Sequence, residues 1–412
     1  MIPTDEQPYP LPDGWQWVTL DNVVECLDNL RSPVNATERA KRPGKIPYYG
    51  ATGQVGWIDD FLTDEQLVLL GEDGAPFLDM FKDKAYIIEG KAWVNNHAHI
   101  LRSRFGNVGN KFLCRYLNAF DFSKYVNGTT RLKLTQAKMK KIPIPLPPLD
   151  EQQRIVSLLD ELFADLDEAK TLAQAVVDGS ELRRAAILQK AFNGELSKLW
   201  RDEHGITLDS WQQCLLGDVC QINPPKISTR DLSGDLEVSF VPMAAVSDVR
   251  GEITVPQRKS LREVKSGFTN FSKGDVLFAK ITPCMENGKA ALVGELVNNI
   301  SYGSTEFFVL RCGEKIFNRF VYHLVRWKIF RNKAKSVMAG AVGQQRVPKR
   351  FLNGYQLNLP PLEEQKEIVS LLDDLLSREQ RTKEFALKTI ERVELMKKSI
   401  LARAFRGALL TK

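Results

Sequence analysis

The side chains best suited to chemistry in this sequence are of types that could contact a polyanion, and they sit on glycine-bearing loops. One loop runs Asn127-Gly128-Thr129-Thr130-Arg131-Leu132-Lys133. The other runs Ala339-Gly340-Ala341-Val342-Gly343-Gln344-Gln345-Arg346, with Lys349 just beyond. Arginine can pair bidentately with guanine, and glutamine with adenine, in a major groove. Glycine lets backbone approach a phosphate. Thr130, Arg131 and Lys133, with Gln344, Gln345, Arg346 and Lys349, are therefore candidate DNA contacts; the competing reading is a pair of solvated turns. Gln54, Lys91, Asn95 and Asn96, with Trp57, could serve likewise in the first half, and Lys280, Asn287, Lys289 and Tyr302 in the second. The row Arg319, Arg326, Lys328, Arg331, Lys333 and Lys335 reads as a basic helix with Phe320, Leu324 and Ile329 turned inward. It could follow a phosphate backbone or form a wet helix face.

Catalytic patterns are weak by comparison. His97 and His99 would lie on one side of a strand as a metal pair, but only His204 and His323 remain and no acid is suitably spaced. Glu72-Asp73 and Asp59-Asp60 could be acids, yet no hydrolase or nuclease pattern surrounds them. There is no phosphate-cradling or dinucleotide-binding glycine motif. Asn223-Pro224-Pro225-Lys226 has the wrong fourth residue for an adenine methyltransferase motif. The chain reads as a binder, with no catalytic residues and no metal.

Over the whole chain, 412 residues suit two to four domains. An apolar content of 43% with 26% charged residues is that of a soluble globular protein. No apolar run is long enough to span a membrane, and Met1 to Pro12 is polar and proline-rich, unlike a signal peptide. The six cysteines lie scattered without C-x-x-C spacing, which fits a reducing cytoplasm. The charge is uneven: +1 over 1–146, −4 over 147–200, +7 over 201–359 and +2 over 360–412. The excess in the third region suggests a polyanion partner there.

What must position the loops is a long internal repeat. Pro147-Pro148-Leu149-Asp150-Glu151-Gln152 returns as Pro360-Pro361-Leu362-Glu363-Glu364-Gln365, 213 residues later. Glu181-Leu182, Ile187-Leu188, Ala191-Phe192 and Gly194 keep the same offset to Glu394-Leu395, Ile400-Leu401, Ala404-Phe405 and Gly407. Each copy reads as one helix: a proline entrance, acids in the first turn, cations in the last, and a glycine stop. About 45 residues would make a rod of roughly 65–70 Å.

Ile155, Leu159, Leu162, Leu166, Ala169, Ala173 and Val176 recur at steps of three and four, a coiled-coil seam. Its phase is lost at Gly179-Ser180, which predicts a kink or a register shift. The second copy runs Ile368, Leu372 and Leu375, then Ala386, Ile390, Val393, Met396 and Ile400, with no apolar seam between Ser377 and Glu384. Each helix needs a partner. The nearest is the other copy, packed antiparallel about a pseudo-twofold; the bland alternative is two linkers, each on its own domain.

The regions before each helix resemble each other faintly. Trp15, Leu20 and Val23 recur as Trp211, Leu216 and Val219, and Asn110-Lys111-Phe112-Leu113 as Asn318-Arg319-Phe320-Val321. Strands are expected at 67–70, 85–88, 100–101 and 142–144, and at 275–279, 290–293, 307–310 and 355–359. Helices are expected at 111–118 and 319–334, with glycine turns at 49–53, 71–74, 286–289 and 302–305.

This plan resembles the specificity subunit of type I restriction-modification systems over nearly the whole chain. The marks are Ile142-Pro143-Ile144-Pro145-Leu146 running into the first helix opening with its second copy, and the endings Ala191-Phe192-Asn193-Gly194-Glu195-Leu196 and Ala404-Phe405-Arg406-Gly407. The stretches 274–283 and 302–307, and Val94-Asn95-Asn96-His97-Ala98-His99, look like two kinds of target recognition domain.

The resemblance implies an α+β fold in which two mixed α/β target recognition domains, 1–146 and 201–359, alternate with spacer helices in 147–200 and 360–412 that pair as an antiparallel coiled coil. It implies a non-catalytic DNA-binding subunit that reads an asymmetric bipartite site on double-stranded DNA, one half per domain, with the helices fixing the gap. The same helices would dock two adenine-N6 methyltransferase subunits through Pro148, Leu149, Glu151, Gln152, Pro361, Leu362, Glu364 and Gln365. Two restriction/translocase subunits would complete the complex. S-adenosylmethionine, ATP and Mg²⁺ would belong to those partners. The rivals are a coiled-coil scaffold without DNA readout and a metal-dependent hydrolase at His97 and His99.

Overall fold

The computed structural model describes residues 2–3, 5, 7–341 and 343–409; Met1, Thr4, Glu6, Val342 of the second glycine loop and residues 410–412 lie outside the described residues. The chain divides into two units. The first is Met1–Ala175 with Phe385–Lys412, and the second is Val176–Glu384. Each unit therefore holds one globule and a part of each long helix.

In the first unit, strands β1 (Gln16–Thr19), β2 (Val24–Cys26), β3 (Ile46–Gly50), β4 (Gly53–Ile58), β5 (Thr63–Asp64), β6 (Leu67–Gly71), β7 (Ala85–Ile88), β8 (Lys91–Val94), β9 (Ala98–Ser103) and β10 (Pro143–Leu146) form three sheets. Their orders are β2-β9-β6-β7, β4-β3-β8-β5 and the pair β1-β10. Strand β6 is buried along its whole length, as its unbroken Leu67-Val68-Leu69-Leu70 run requires. Helix α1 (Gly106–Ala119) covers that sheet with Phe112, Leu113, Tyr116 and Leu117, one stripe of a helical period.

The second unit repeats this plan. Strands β11 (Gln212–Leu215), β12 (Cys220–Ile222), β13 (Glu237–Val241), β14 (Gln257–Ser260), β15 (Thr269–Phe271), β16 (Val276–Ala279), β17 (Ala290–Leu292), β18 (Ser301–Gly303), β19 (Phe307–Cys312) and β20 (Gln356–Leu359) order as β12-β19-β16-β17, β14-β13-β18-β15 and β11-β20. Strand for strand this is the first unit's topology. Even the parallel pairing recurs, β3 with β8 and β13 with β18. The faint sequence likeness of the two globules thus conceals one fold used twice.

The long helices are α2 (Leu149–Phe192) and α5 (Leu362–Ala404), of 44 and 43 residues. In the first unit Lys170 pairs with Glu394 and Asp167 with Lys397. In the second, Arg183 pairs with Glu379 and Glu181 with Lys383. In both units an advance along α2 is matched by a retreat along α5, so the pairing is antiparallel. Ile155, Leu159, Ala173, Ile368, Leu372, Ala386 and Val393 are buried as the seam requires. Met396 is not a seam residue; it is exposed.

Three expected features are corrected. The basic helix expected over 319–334 is two, α3 (Asn318–Arg326) and α4 (Lys328–Ser336). Trp327 between them is extended, and its ring lies 5.0 Å from Phe192. The glycine turn expected at 302–305 begins inside strand β18. A Cβ on Gly303 would stand 2.6 Å from the Val241 carbonyl oxygen, so this glycine serves close strand approach.

No kink occurs at Gly179-Ser180, where α2 is continuous. The lost apolar phase is answered by polar packing instead. A Cβ on Gly179 would meet Arg183 Nη1 at 2.5 Å, so the glycine leaves room for the guanidinium to fold back. Arg183 Nη2 donates to the Val176 carbonyl at 2.5 Å. Its Nε and Nη2 reach the Glu379 carboxylate at 2.9–3.1 Å. The polar middle of α5 is thus where that helix offers Glu379.

Candidate nucleic-acid interface

The first glycine loop folds back on itself through an antiparallel bridge between Asn127 and Lys133, and Lys133 bridges on to Asp73. Gly128, at φ +108°, allows the reversal. The second loop closes identically: Ala339 bridges Arg346, and Arg346 bridges Ile281. Gly340 there has φ +126°. The supporting segments, around Asp73 and Ile281, follow the equivalent strands β6 and β16. The two loops are therefore the same element on the same scaffold.

Each loop arginine is held by a carboxylate. Arg131 Nε lies 2.6 Å from Asp73. Arg346 grips Glu306 through Nε and Nη2 at 3.0 and 2.8 Å, and its Nη1 donates to the Gln344 carbonyl. Arg346 holds the Glu306 carboxyl below the usual carboxylate range. Lys133 reaches Glu72 at 3.3 Å. Glu72 and Asp73, weighed as catalytic acids, instead position loop cations. Of the other acidic pair, Asp59 binds Arg42 and Asp60 accepts from the Phe61 amide.

Around the first loop the structure gathers several expected residues. A cavity of about 680 Å³ is lined by Gly50, Thr52, Asn95, His97, Thr130 and Arg131, among others. Thr130, Arg131, Lys133, Asn96 and Gln54 are exposed. Asn95 is buried, and its side-chain oxygen accepts from the His97 amide, so it shapes the turn. Lys91 begins β8, whose far end carries the Asn95 turn, and its amine sits over the Phe61 ring. It does not join the group.

In the second unit Gln344 and Lys349 are exposed, and Gln345 and Arg346 half-buried. Lys280 packs beside the loop, its amide donating to Glu306 and its carbonyl accepting from Val347. Lys289 donates to the Met243 carbonyl, and the amide of exposed Asn287 donates to Pro283. Tyr302 is corrected: at 1% exposure it belongs to the core with Val238 and Phe240. The basic row also turns inward in part. Arg326 holds the Asp248 and Val249 carbonyls, Arg331 the Glu286 carbonyl, and Arg319 pairs with Asp373. Lys328 remains exposed, and so does Ile329, which the helical reading turned inward. The break at Trp327 shifts the phase of α4 and moves Ile329 off the buried face.

His97 and His99 do not converge. His97 faces Asp73 at 3.6 Å, whereas buried His99 sets Nδ1 2.7 Å from Asp28 and Nε2 2.9 Å from the Leu134 carbonyl. Asp28, Glu72 and His99 do bring ligand atoms within 4.8 Å of one another. Arg31 already bridges the two carboxylates, so the charge there is balanced by protein. Sequence reasoning misses Asp28 and Arg31, because nothing in their spacing ties them to Glu72 and His99.

The repeated helix openings also serve the fold. Gln152 donates to the Pro147 carbonyl and Gln365 to the Pro360 carbonyl. Glu364, at 0% exposure, binds Ser197, Arg201 and Trp211. Gln152, Glu364 and Gln365 are therefore corrected: all three are buried and engaged, and a partner cannot reach them. Glu151 is half-buried under Trp15. Pro148, Leu149 and Leu362 stay exposed and Pro361 partly so. Sequence reasoning also misses further exposed apolar side chains: Leu172 and Leu182 on α2, Phe385 and Leu395 on α5. They stand at equivalent positions of the repeat, and the shared 213-residue offset of these off-seam residues is the available signal.

Comparison with known proteins agrees with this organisation. Residues 12–175 and 209–392 match the type I restriction modification DNA specificity domain. The chain is similar to a provisionally named type I restriction enzyme specificity subunit of Haemophilus influenzae, 30% identical over 372 residues, covering 87% of this chain and 86% of that one. It is 39% identical over 171 residues to the EcoAI specificity subunit of Escherichia coli, covering 41% of this chain and 28% of that one. Its fold is similar to the HsdS subunit of Thermoanaerobacter tengcongensis, with TM-score 0.59 and 20% identity over 98% of this chain and 100% of that one. A second solved chain, from a study of type I system assembly and conformational transition, matches with TM-score 0.66 at 20% identity over the same shares.

Proposed function

Since the chain belongs to the type I restriction modification DNA specificity family, we propose that its two globules each read one half of an asymmetric bipartite site on double-stranded DNA. The observation that carries this is the repeated topology with a cation-bearing glycine loop at the equivalent place in each unit. One scaffold used twice, with different loop residues, is what two unlike half-sites require. DNA has local dyads, so a pseudo-twofold protein can lay one reader on each half.

In this reading residues 1–146 and 201–359 are the readers, and the helices of 147–200 and 360–412 set the gap. Thr130, Arg131, Lys133, Asn96 and Gln54 serve the first half-site; Gln344, Gln345, Arg346, Lys349 and Lys280 serve the second. Arginine and glutamine supply base-edge contacts, and lysine and threonine supply phosphate contacts.

The helices dock two copies of an adenine-N6 methyltransferase subunit, with two restriction/translocase subunits joining the assembly. Exposed apolar side chains at equivalent repeat positions, Leu149 with Leu362, Leu172 with Phe385 and Leu182 with Leu395, suit one partner bound twice. This chain supplies no catalytic group, and S-adenosylmethionine, ATP and Mg²⁺ act in the partners.

Exchanging residues 15–141 for another reader of the family tests the proposal. Methylome sequencing is expected to show one half-site replaced, with the other half and the gap kept. Alteration of both halves would overturn it.

A further inference from the structure

We propose that the Arg183–Glu379 pair selects the partner of each long helix, so that α2 pairs with α5 of its own chain and not with its like in a second copy. A repeat poses this problem by construction. Two similar helices can pair unlike, α2 with α5, or like, α2 with α2 and α5 with α5 between two copies. Chain connectivity favours the unlike pairing, and the side chains that face each other across the coil add to that preference or oppose it.

The flanking ion pairs do so poorly. Asp167 meets Lys397, Lys170 meets Glu394, and Glu181 meets Lys383. Carried across the repeat offset, Lys397 becomes Arg184, Glu394 becomes Glu181, and Lys383 becomes Lys170. Each of these charges keeps its sign. A second copy's α2 would offer Asp167 an arginine and Lys170 a glutamate, as α5 does. In an α5–α5 pairing Lys383 would again find Glu394, and only Lys397 would trade its carboxylate for Gln380, at an exposed edge. These pairs fix register and leave identity largely open.

Arg183 and Glu379 behave differently. Their repeat equivalents are Met396 and Leu166. In an α5–α5 pairing each Glu379 would face Met396 in place of a guanidinium. Glu379 is only 9% exposed, a seam position, and its carboxyl is held below the usual range chiefly by Arg183. A carboxylate left in a seam without its cation is disfavoured, although solvent at the exposed Arg183 moderates the penalty. In an α2–α2 pairing Arg183 would face Leu166 and lose both carboxylate contacts. A single polar seam position can set the partner choice of a coiled coil in this way. Gly179 belongs to the device, because it gives the guanidinium its place on the helix.

The test uses the full chain, co-expressed with two different affinity tags. The readout is the fraction of one tagged copy recovered with the other, with mass by light scattering. Wild type is expected to show little cross-recovery. The double variant Arg183→Met with Glu379→Leu, which installs the residues of the equivalent positions, is expected to raise it severalfold, because a like pairing of two copies then carries no mismatch at these positions. The charge swap Arg183→Glu with Glu379→Arg restores a matched pair and is expected to match wild type. Glu379→Arg alone, which sets two arginines together, is expected to raise cross-recovery, and adding Arg183→Glu to lower it again. This arm decides the matter if the apolar double variant does not fold. No rise in the mismatched variants, or a swap as promiscuous as they are, overturns the proposal.

Discussion

The indole N–H of Trp15 donates to Glu151 at 3.0 Å, and the same bond recurs in the second unit between Trp211 and Glu364 at 2.9 Å. Each tryptophan opens a globule and each glutamate opens a long helix, so this bond ties the strand pair β1-β10 or β11-β20 to the helix that follows. The two copies differ in what surrounds the carboxylate. Glu364 also binds buried Arg201 at 2.6 Å and Ser197 at 2.7 Å, whereas Glu151 is held by its tryptophan. Removing Glu364 leaves a buried guanidinium without its anion. Glu364→Ala is expected to cost the second unit about 3–5 kcal/mol, and Glu151→Ala to cost the first about 1–2 kcal/mol. Chemical denaturation followed by tryptophan fluorescence checks the order; equal losses would show that Arg201 adds nothing.

Arg346 and Lys349 make opposite predictions although only Val347 and Pro348 separate them. Arg346 is aimed by Glu306. A base-edge role predicts that Arg346→Ala loses about ten- to hundredfold in affinity and relaxes one position of one half-site. Lys349 is exposed at the start of a short helix. Lys349→Ala is expected to weaken binding to all sequences alike and to lower the salt slope by about one. Binding assays on substituted half-sites, with the methyltransferase subunit present, separate the two. A uniform loss for Arg346→Ala would make it a phosphate contact.

The architecture is legible in the sequence because it is written in long, regular signals. A 213-residue repeat, proline entrances and a three-four apolar step survive drift. Strands such as β6 and β16 are legible because they are buried on both faces. The short strands β3, β4, β13 and β18 are not. Tyr302-Gly303 looks like a turn until Val241 is known to press against it, and that contact links segments far apart in the chain. The same limit governs the loops. Gly128 and Gly340 mark them, but the acids that aim their arginines, Asp73 and Glu306, are chosen by tertiary packing. At the helix openings the repeat itself misleads. Recurrence of Glu364 and Gln365 suggests a shared partner, whereas both are used to build the junction between globule and helix.

The pH dependence of the second unit should centre on His323. Its ring is buried and Nε2 faces Asp373 at 3.0 Å. Burial lowers its pKa from the ordinary 6.5, more than Asp373 raises it. Burial pushes the Asp373 carboxyl up, but hydrogen bonds from His323 and Arg319 outweigh this and the net shift is downward. The unfolded chain therefore takes up a proton at His323 more readily than the folded one. Stability is full above about pH 6.5 and falls as pH drops through the folded imidazole's value, with Asp373 adding a further loss at lower pH. Urea midpoints at about pH 7.5 and about pH 5.5, on either side of that range, should differ less in His323→Gln than in wild type. An unchanged difference would place the acid sensitivity elsewhere.

Gly179→Ala sets two effects against each other. Alanine in a helix interior is favoured over glycine by about 1 kcal/mol. The new Cβ would stand 2.5 Å from Arg183 Nη1, so the guanidinium must leave the Val176 carbonyl and the Glu379 carboxylate. Arg183 is exposed to solvent, which screens its ion pair and keeps that loss small. The substitution is therefore expected to leave the melting temperature unchanged or slightly raised, while the carboxyl of Glu379 returns toward its ordinary range. Carboxylate titration by NMR and a thermal melt measure the two sides separately. If Glu379 keeps its lowered pKa in the Gly179→Ala variant, the guanidinium has another route across the coil, and glycine is not what admits it.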